Sequence, residues 1–243
     1  MSNNTVELLS FTKKYASKFV FKEVDFVAKS NSITGLLGPN GAGKSTILKT
    51  ISGVIYPTDG TVKVCGFDDP AEIRKITGYV PEHPELEGNL TVKETLLLES
   101  GLYCSGSDIE SNVGFAVDFT GLNEVLNVKV KTLSKGFAQR LSLAKALCID
   151  PKILILDEFS AGLDPKQIVE LRNKIKKLSK KITVIFSTHH IEEASSLCDE
   201  IYIIDKGIVK SHGTVDEILK VSGTKNLEDA YLKFIEGTGE DKE

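Results

Sequence analysis

The sequence predicts an α/β fold: a mostly parallel sheet with helices on both faces, a small antiparallel β layer beside it and an inserted helical subdomain. Three observations predict it. The glycine-rich stretch GPNGAGKST, residues 38–46, lies between an apolar run containing Ile33, Leu36 and Leu37 and a helix-compatible run. Ile153 to Leu156 is a continuous apolar run, the appearance of a parallel strand covered on both faces. Ile182 to Phe186 is a second buried strand, reached through a helix that opens at Asp164-Pro165.

Residues 6–27 mix Phe, Val and Leu with polar residues in short alternating stretches, and Gly60 to Gly66 (GTVKVCG) adds a strand bounded by glycines. Together they predict the β layer beside the glycine loop. From Glu82 the character changes. Thr91 and Glu94 form a capping-box pair opening a helix through Leu96, Leu97 and Leu98, and the stretch to Lys131 lacks strand alternation. It reads as a mainly helical insertion. In the helix after Asp164, Ile168, Leu171, Ile175 and Leu178 line one face. Ile201 to Ile204, a turn at Asp205-Lys206-Gly207, and Ile208 to Lys210 predict a closing hairpin, with a capped helix starting from Thr214. The expected division is a core of residues 1–81 and 146–220, a helical insertion of 82–145 and a C-terminal tail of 221–243, its GTGEDKE end mobile.

At 243 residues and 41% hydrophobic content the chain can fill one large domain with an inserted subdomain. No run approaches the length of a membrane span, and the start MSNNTVELLS has neither a basic leader nor an apolar signal core, so the expectation is a chain that does not cross a membrane alone. A net charge of -4 argues against a nucleic-acid partner held by a basic surface. The one dense basic run, Lys174, Lys176, Lys177, Lys180 and Lys181, reads as the solvated side and end of a helix. Cys65, Cys104, Cys148 and Cys198 are far apart with no metal-ligand or redox spacing, which fits a reducing cytoplasm.

The glycine loop is a phosphate cradle. Its candidate binding set is Gly38, Pro39, Asn40, Gly41, Ala42, Gly43, Lys44, Ser45 and Thr46. Glycines let backbone amides approach a polyphosphate, Lys44 can reach the terminal phosphates, and Ser45 can ligand Mg²⁺. The helix starting near Lys44 points its positive end at the anion. Such a loop alone leaves kinases, GTPases, helicases and transport ATPases open. Asp157 and Glu158 follow the Ile153 to Leu156 strand, where an open α/β sheet places its ligand-facing residues. Asp157 suits the Mg²⁺ shell, and Glu158 suits orienting or deprotonating an attacking water.

The segment LSKGFAQRLSLAKAL, Leu133 to Leu147, resembles the signature of the nucleotide-binding subunits of ATP-binding-cassette transporters, with Leu133, Ser134, Gly136, Gln139 and Arg140 matching and Lys135 and Phe137 departing. The resemblance covers most of the chain, with motifs in the family's order. It implies a RecA-like P-loop NTPase core, with ATP and Mg²⁺ held between two subunits. Ser134, a natural N-cap, and the Gly136 amide would then face the ATP of the opposite subunit. Tyr15 matches the aromatic that stacks on adenine, and Ser160 to Asp164 matches the loop that crosses the dimer interface. His189, with His190 as its neighbouring rival, matches the switch histidine at the terminal phosphate. Glu82 stands where the family usually has a Gln that touches Mg²⁺. The Glu82 and Lys135 departures resemble a bacterial exporter-type branch.

The implied function is ATP hydrolysis by a subunit at the cytoplasmic membrane face. It would drive a separate transmembrane permease, with a second nucleotide-binding subunit as homodimer or heterodimer partner. Other readings of the same site are a soluble cassette ATPase or a nucleotide-sensing regulator. A GTPase is disfavoured because no Asn-Lys-x-Asp segment follows the Asp157 strand.

Overall fold

The computed structural model describes residues 4–160 and 164–236. Strands β1 (Asn4–Tyr15) and β2 (Lys18–Lys29) form a hairpin, followed by β3 (Ile33–Leu37) and helix α1 (Lys44–Ile51). Next come β4 (Asp59–Val64), α2 (Pro70–Ile76) and β5 (Thr77–Val80). The insertion holds α3 (Val92–Tyr103), α4 (Asp108–Thr120) and α5 (Lys135–Leu147). The chain then runs through β6 (Ile153–Asp157), α6 (Pro165–Leu178), β7 (Thr183–Thr188), α7 (Ile191–Leu197), β8 (Glu200–Asp205) and β9 (Ile208–Gly213). It closes with α8 (Val215–Ser222) and α9 (Leu227–Glu236).

Two sheets result. The larger has the order β5-β6-β7-β3-β8-β9, parallel except for the β8–β9 hairpin, and the smaller is antiparallel with the order β2-β1-β4. Alternation along β6 explains how one apolar run serves two layers. Ile153 and Ile155 face the cluster shared with the small sheet, where Phe11, Phe21 and Phe26 are buried. Leu154 and Leu156 face the opposite cluster with Leu141, Ala144 and Leu147 of α5. Each large apolar side chain among them contributes about 1.5–3 kcal/mol when fully buried, so both layers are strongly held to the sheet.

Register sets the site. Leu37 of β3 pairs with Thr188 of β7, and Asp157 of β6 pairs with Ser187, so three neighbouring strands end at one level. Gly38, Glu158 and His189 therefore leave the sheet side by side, at the carboxyl ends where such sheets place ligands.

The capping box is present in full: Thr91 N–H donates to Glu94 Oε2 at 2.8 Å and Glu94 N–H donates to Thr91 Oγ1 at 3.2 Å. Two boundaries differ from the sequence expectation. Helix α5 continues through residue 145 to Leu147, because Ala144, Ala146 and Leu147 pack with the β6 layer. The segment 221–243, expected as a tail, contains α9, whose Leu227 and Ala230, with Tyr231 and Phe234, pack on Leu37, Ile201 and Ile203. Their spacing is that of one helical face, which the polar residues between and beyond them obscure. The GTGEDKE stretch lies outside the described residues, as do residues 161–163 of the SAGLD segment.

Candidate functional site

The glycine loop is fixed at both flanks. Gly38 N–H donates to Thr188 O at 3.3 Å, and Gly207 N–H, from the β8–β9 turn, donates to Ala42 O at 3.0 Å. Two glycines are required by the geometry. Gly43 caps α1 with φ 107°, and a Cβ there would meet the Phe21 ring at 2.6 Å. Gly41 has φ +82° and faces open space, the room a polyphosphate needs against the backbone. Thr46 N–H makes the first backbone bond into the helix, to Gly43 O at 2.8 Å, leaving the amides before it at the positive end of α1.

Lys44 is buried and folded back over this loop. Its Nζ donates to Gly38 O at 2.8 Å and Pro39 O at 3.2 Å, and it pairs with Glu158 Oε1 at 3.3 Å. The other carboxylate oxygen of Glu158 meets His189 Nδ1 at 2.9 Å. Glu158 thus links Lys44 and His189, while its buried Oε1 accepts no hydrogen bond. Glu158 also adopts φ +49°, a left-handed backbone costing a non-glycine residue about 1–2 kcal/mol. Its own amide, donating to Ser187 Oγ at 3.1 Å, helps hold that conformation. His190 packs against His189 with ring centroids 4.0 Å apart and planes tilted by 41°, but makes no side-chain bond to Glu158.

Asp157 is buried between two hydroxyls. Ser187 Oγ donates to its Oδ1 at 2.5 Å and Tyr79 OH donates to its Oδ2 at 3.3 Å. Burial, aided by the neighbouring Asp157 charge, raises the Tyr79 phenol well above its ordinary range, so it remains a neutral donor. Sequence reasoning assigned no role to Ser187 or Tyr79. The available signal was polar residues at the ends of otherwise apolar strands, since a buried hydroxyl must find a partner.

The structure gathers Lys44, Asp157, Glu158 and His189 with the glycine loop. It leaves four other candidates apart. Tyr15 is 49% exposed at the end of β1, with Lys13 Nζ 4.9 Å from its ring centroid. Ser134 is exposed at the N-cap of α5, accepting from Phe137 N–H at 3.4 Å, and Gly136 follows in the first turn. Glu82 is exposed on the loop after β5, with His83 Nε2 3.9 Å away. Among the described residues no group of three or more His, Cys, Asp or Glu suits a metal ion. Ser45, at the start of α1, and Asp157 supply the hard oxygen donors that Mg²⁺ accepts, an ion commonly held by one or two protein groups plus substrate phosphates.

The chain is similar to known proteins in sequence and fold. A family profile described as ABC transporter matches residues 21–161. An uncharacterized ABC transporter ATP-binding protein of Bacillus subtilis, YxlF, is 34% identical over 236 residues, spanning 96% of this chain and 79% of its own length. A Nod factor export ATP-binding protein I of Bradyrhizobium sp. is 34% identical over 225 residues, spanning 90% of this chain and 73% of its own. Among solved structures, an ATP-binding subunit of an ABC transporter superposes with TM-score 0.89 at 30% identity, covering 95% of this chain and 99% of that one. The cassette MJ0796, in a dimeric post-hydrolysis state bound to ADP and Pi, superposes with TM-score 0.78 at 28% identity, covering 86% and 98%.

Proposed function

We propose that this chain, which belongs to the ABC transporter family, closes head to tail on a second copy or a related chain around two Mg-ATP and so drives a separate transmembrane permease. As a member it is an ATP-binding, ATP-hydrolysing transporter subunit with the α/β fold of such cassettes. The observation that carries the residue assignment is the bridge of Glu158 between Lys44 and His189, at 3.3 and 2.9 Å.

In this reading the loop amides and Lys44 hold the phosphates, and Tyr15 stacks on adenine. Ser45 and Asp157 would hold Mg²⁺, which neutralises charge on the phosphate oxygens when bound. The Glu158 carboxylate takes a proton from water as the water oxygen bonds to the terminal phosphorus and the bond to the leaving ADP oxygen breaks. Lys44 and His189 stabilise charge on the transferred group. Ser134 and Gly136 of the opposite copy complete the pocket, which accounts for the exposure of Ser134 in a single chain. Ser134→Arg is expected to leave ATP binding by one chain intact and to block ATP-dependent dimerisation. Chromatography with light scattering, in a Glu158→Gln background, checks it, and persisting dimers would overturn the head-to-tail pocket.

Among the described residues no helix is long and apolar enough to cross a membrane. Attachment to the cytoplasmic face would therefore come through the permease. A groove of about 440 Å³ between the insertion and the core, lined by Val54, Tyr79, Leu86, Glu99, Tyr103 and Lys145, is its docking place in this reading. Export is the proposed direction, supported by similarity to Nod factor export ATP-binding proteins.

In this reading Glu82 belongs to the edge of the metal site; its charge is near enough to bear on Tyr79. Glu82→Gln is expected to keep turnover and to raise the magnesium concentration giving half-maximal rate, because one negative charge is removed. An unchanged magnesium titration would take Glu82 out of the metal set.

A further inference from the structure

We propose that Glu193 is a positioning residue for His189, acting through Thr188 and held in place by Arg172. This deepens the functional reading above and rests on His189 acting at the terminal phosphate. Glu193 lies on the buried face of α7 with Ala194 and Leu197, at 3% exposure. A carboxylate there needs both a cation and hydrogen-bond donors. It has them: Thr188 Oγ1 donates to Glu193 Oε2 at 2.7 Å, and Arg172 Nη2 pairs with Glu193 Oε1 at 3.2 Å. Thr188 Oγ1 in turn accepts the His190 N–H at 2.9 Å.

The consequence falls on the residue between them. Because the Thr188 proton is committed to Glu193, the hydroxyl oxygen is left to accept, and the backbone on either side of His189 is pinned to one buried side chain. His189 can then meet Glu158 without a cap or strand bond of its own to fix it. Arg172 sits on α6, the helix that begins at the end of the stretch Ser160 to Asp164, so the ionic pair ties the histidine loop to that helix. Glu158, His189, Arg172 and Glu193 all line one depression.

The test uses the full-length chain carrying Thr188→Val, which keeps shape and removes the hydroxyl, with Thr188→Ser as rescue. Glu193→Gln and Arg172→Met, with Arg172→Lys as rescue, serve as a second set should one variant fold poorly. The expected result is a fall in kcat of about 10- to 100-fold with KM for ATP little changed, as for a catalytic group misplaced by a fraction of an ångström to an ångström. Thr188→Ser and Arg172→Lys are expected to restore most of it, and Thr188→Val is expected to add no loss in a His189→Ala background. A kcat within twofold of the parent chain, or an equal loss in the His189→Ala background, overturns the positioning role. If His189→Ala itself hydrolyses ATP normally, the assignment of His189 fails, and that result is separate from the case in which His189→Ala is inactive and Thr188→Val is unaffected.

Discussion

Replacing Glu158 by Gln is expected to lower ATP turnover by about 10²- to 10⁴-fold, the usual contribution of a positioned general base, while ATP binding persists. The amide is nearly isosteric, so it can keep a contact to His189 but cannot take a proton. It also removes the ionic partner of Lys44, which the folded chain holds at 3.3 Å. Lys44 is not orphaned by the change, because Gly38 O and Pro39 O still accept from it at 2.8 and 3.2 Å. Folding should survive, and the lysine should be freer to engage phosphate. The variant is therefore expected to accumulate as a nucleotide-bound dimer. Single-turnover phosphate release and light scattering in ATP and magnesium measure the two halves of this claim. Hydrolysis within tenfold of the parent chain would remove Glu158 from the proton-transfer role.

Lys44→Ala is expected to act earlier, on binding. Truncating one member of a buried, hydrogen-bonded charge pair costs about 2–5 kcal/mol, which corresponds to a loss of affinity of roughly 30-fold to several thousand-fold. Two effects add here. The cation facing the phosphates is gone, and Glu158 is left buried, with no cation in its ion-pair contact at Oε1. The melting temperature should fall as well, whereas Glu158→Gln should change it little. Equilibrium titration with a fluorescent ATP analogue, read beside thermal unfolding, separates lost affinity from lost fold. Affinity within threefold of the parent chain in well-folded Lys44→Ala would contradict the phosphate cradle.

The core of this site was legible because short-range chemistry wrote it. The glycine loop, the strand ending in Asp157-Glu158 and the histidine after the Ile182 to Phe186 strand are each local patterns, and parallel register alone brings their ends together. The hydroxyl partners were not legible in the same way. Tyr79 and Asp157 are 78 residues apart, and nothing in either neighbourhood specifies that β5 and β6 are adjacent. Arg172 and Glu193 were likewise hidden, since each occupies a helix with several exposed charges, and only packing shows that Glu193 is on the inner face. Lys174 of α6, expected as part of a solvated run, is itself half-buried with its Nζ donating to Phe119 O at 2.6 Å. The C-terminal helix α9 was missed because its apolar face is short and its neighbours are acidic. Conversely, Tyr15 and Ser134 are exposed, where the proposed substrate and second chain would meet them.

The bonds from Gly38 N–H to Thr188 O and from Gly207 N–H to Ala42 O hold the loop in shape from two separate places, the end of β7 and the β8–β9 turn. A receptor preset in this way surrenders little conformational entropy when its anion arrives. In the reading proposed above, capture would then be governed by diffusional encounter and desolvation, and the slow steps would fall to the meeting and parting of whole subunits.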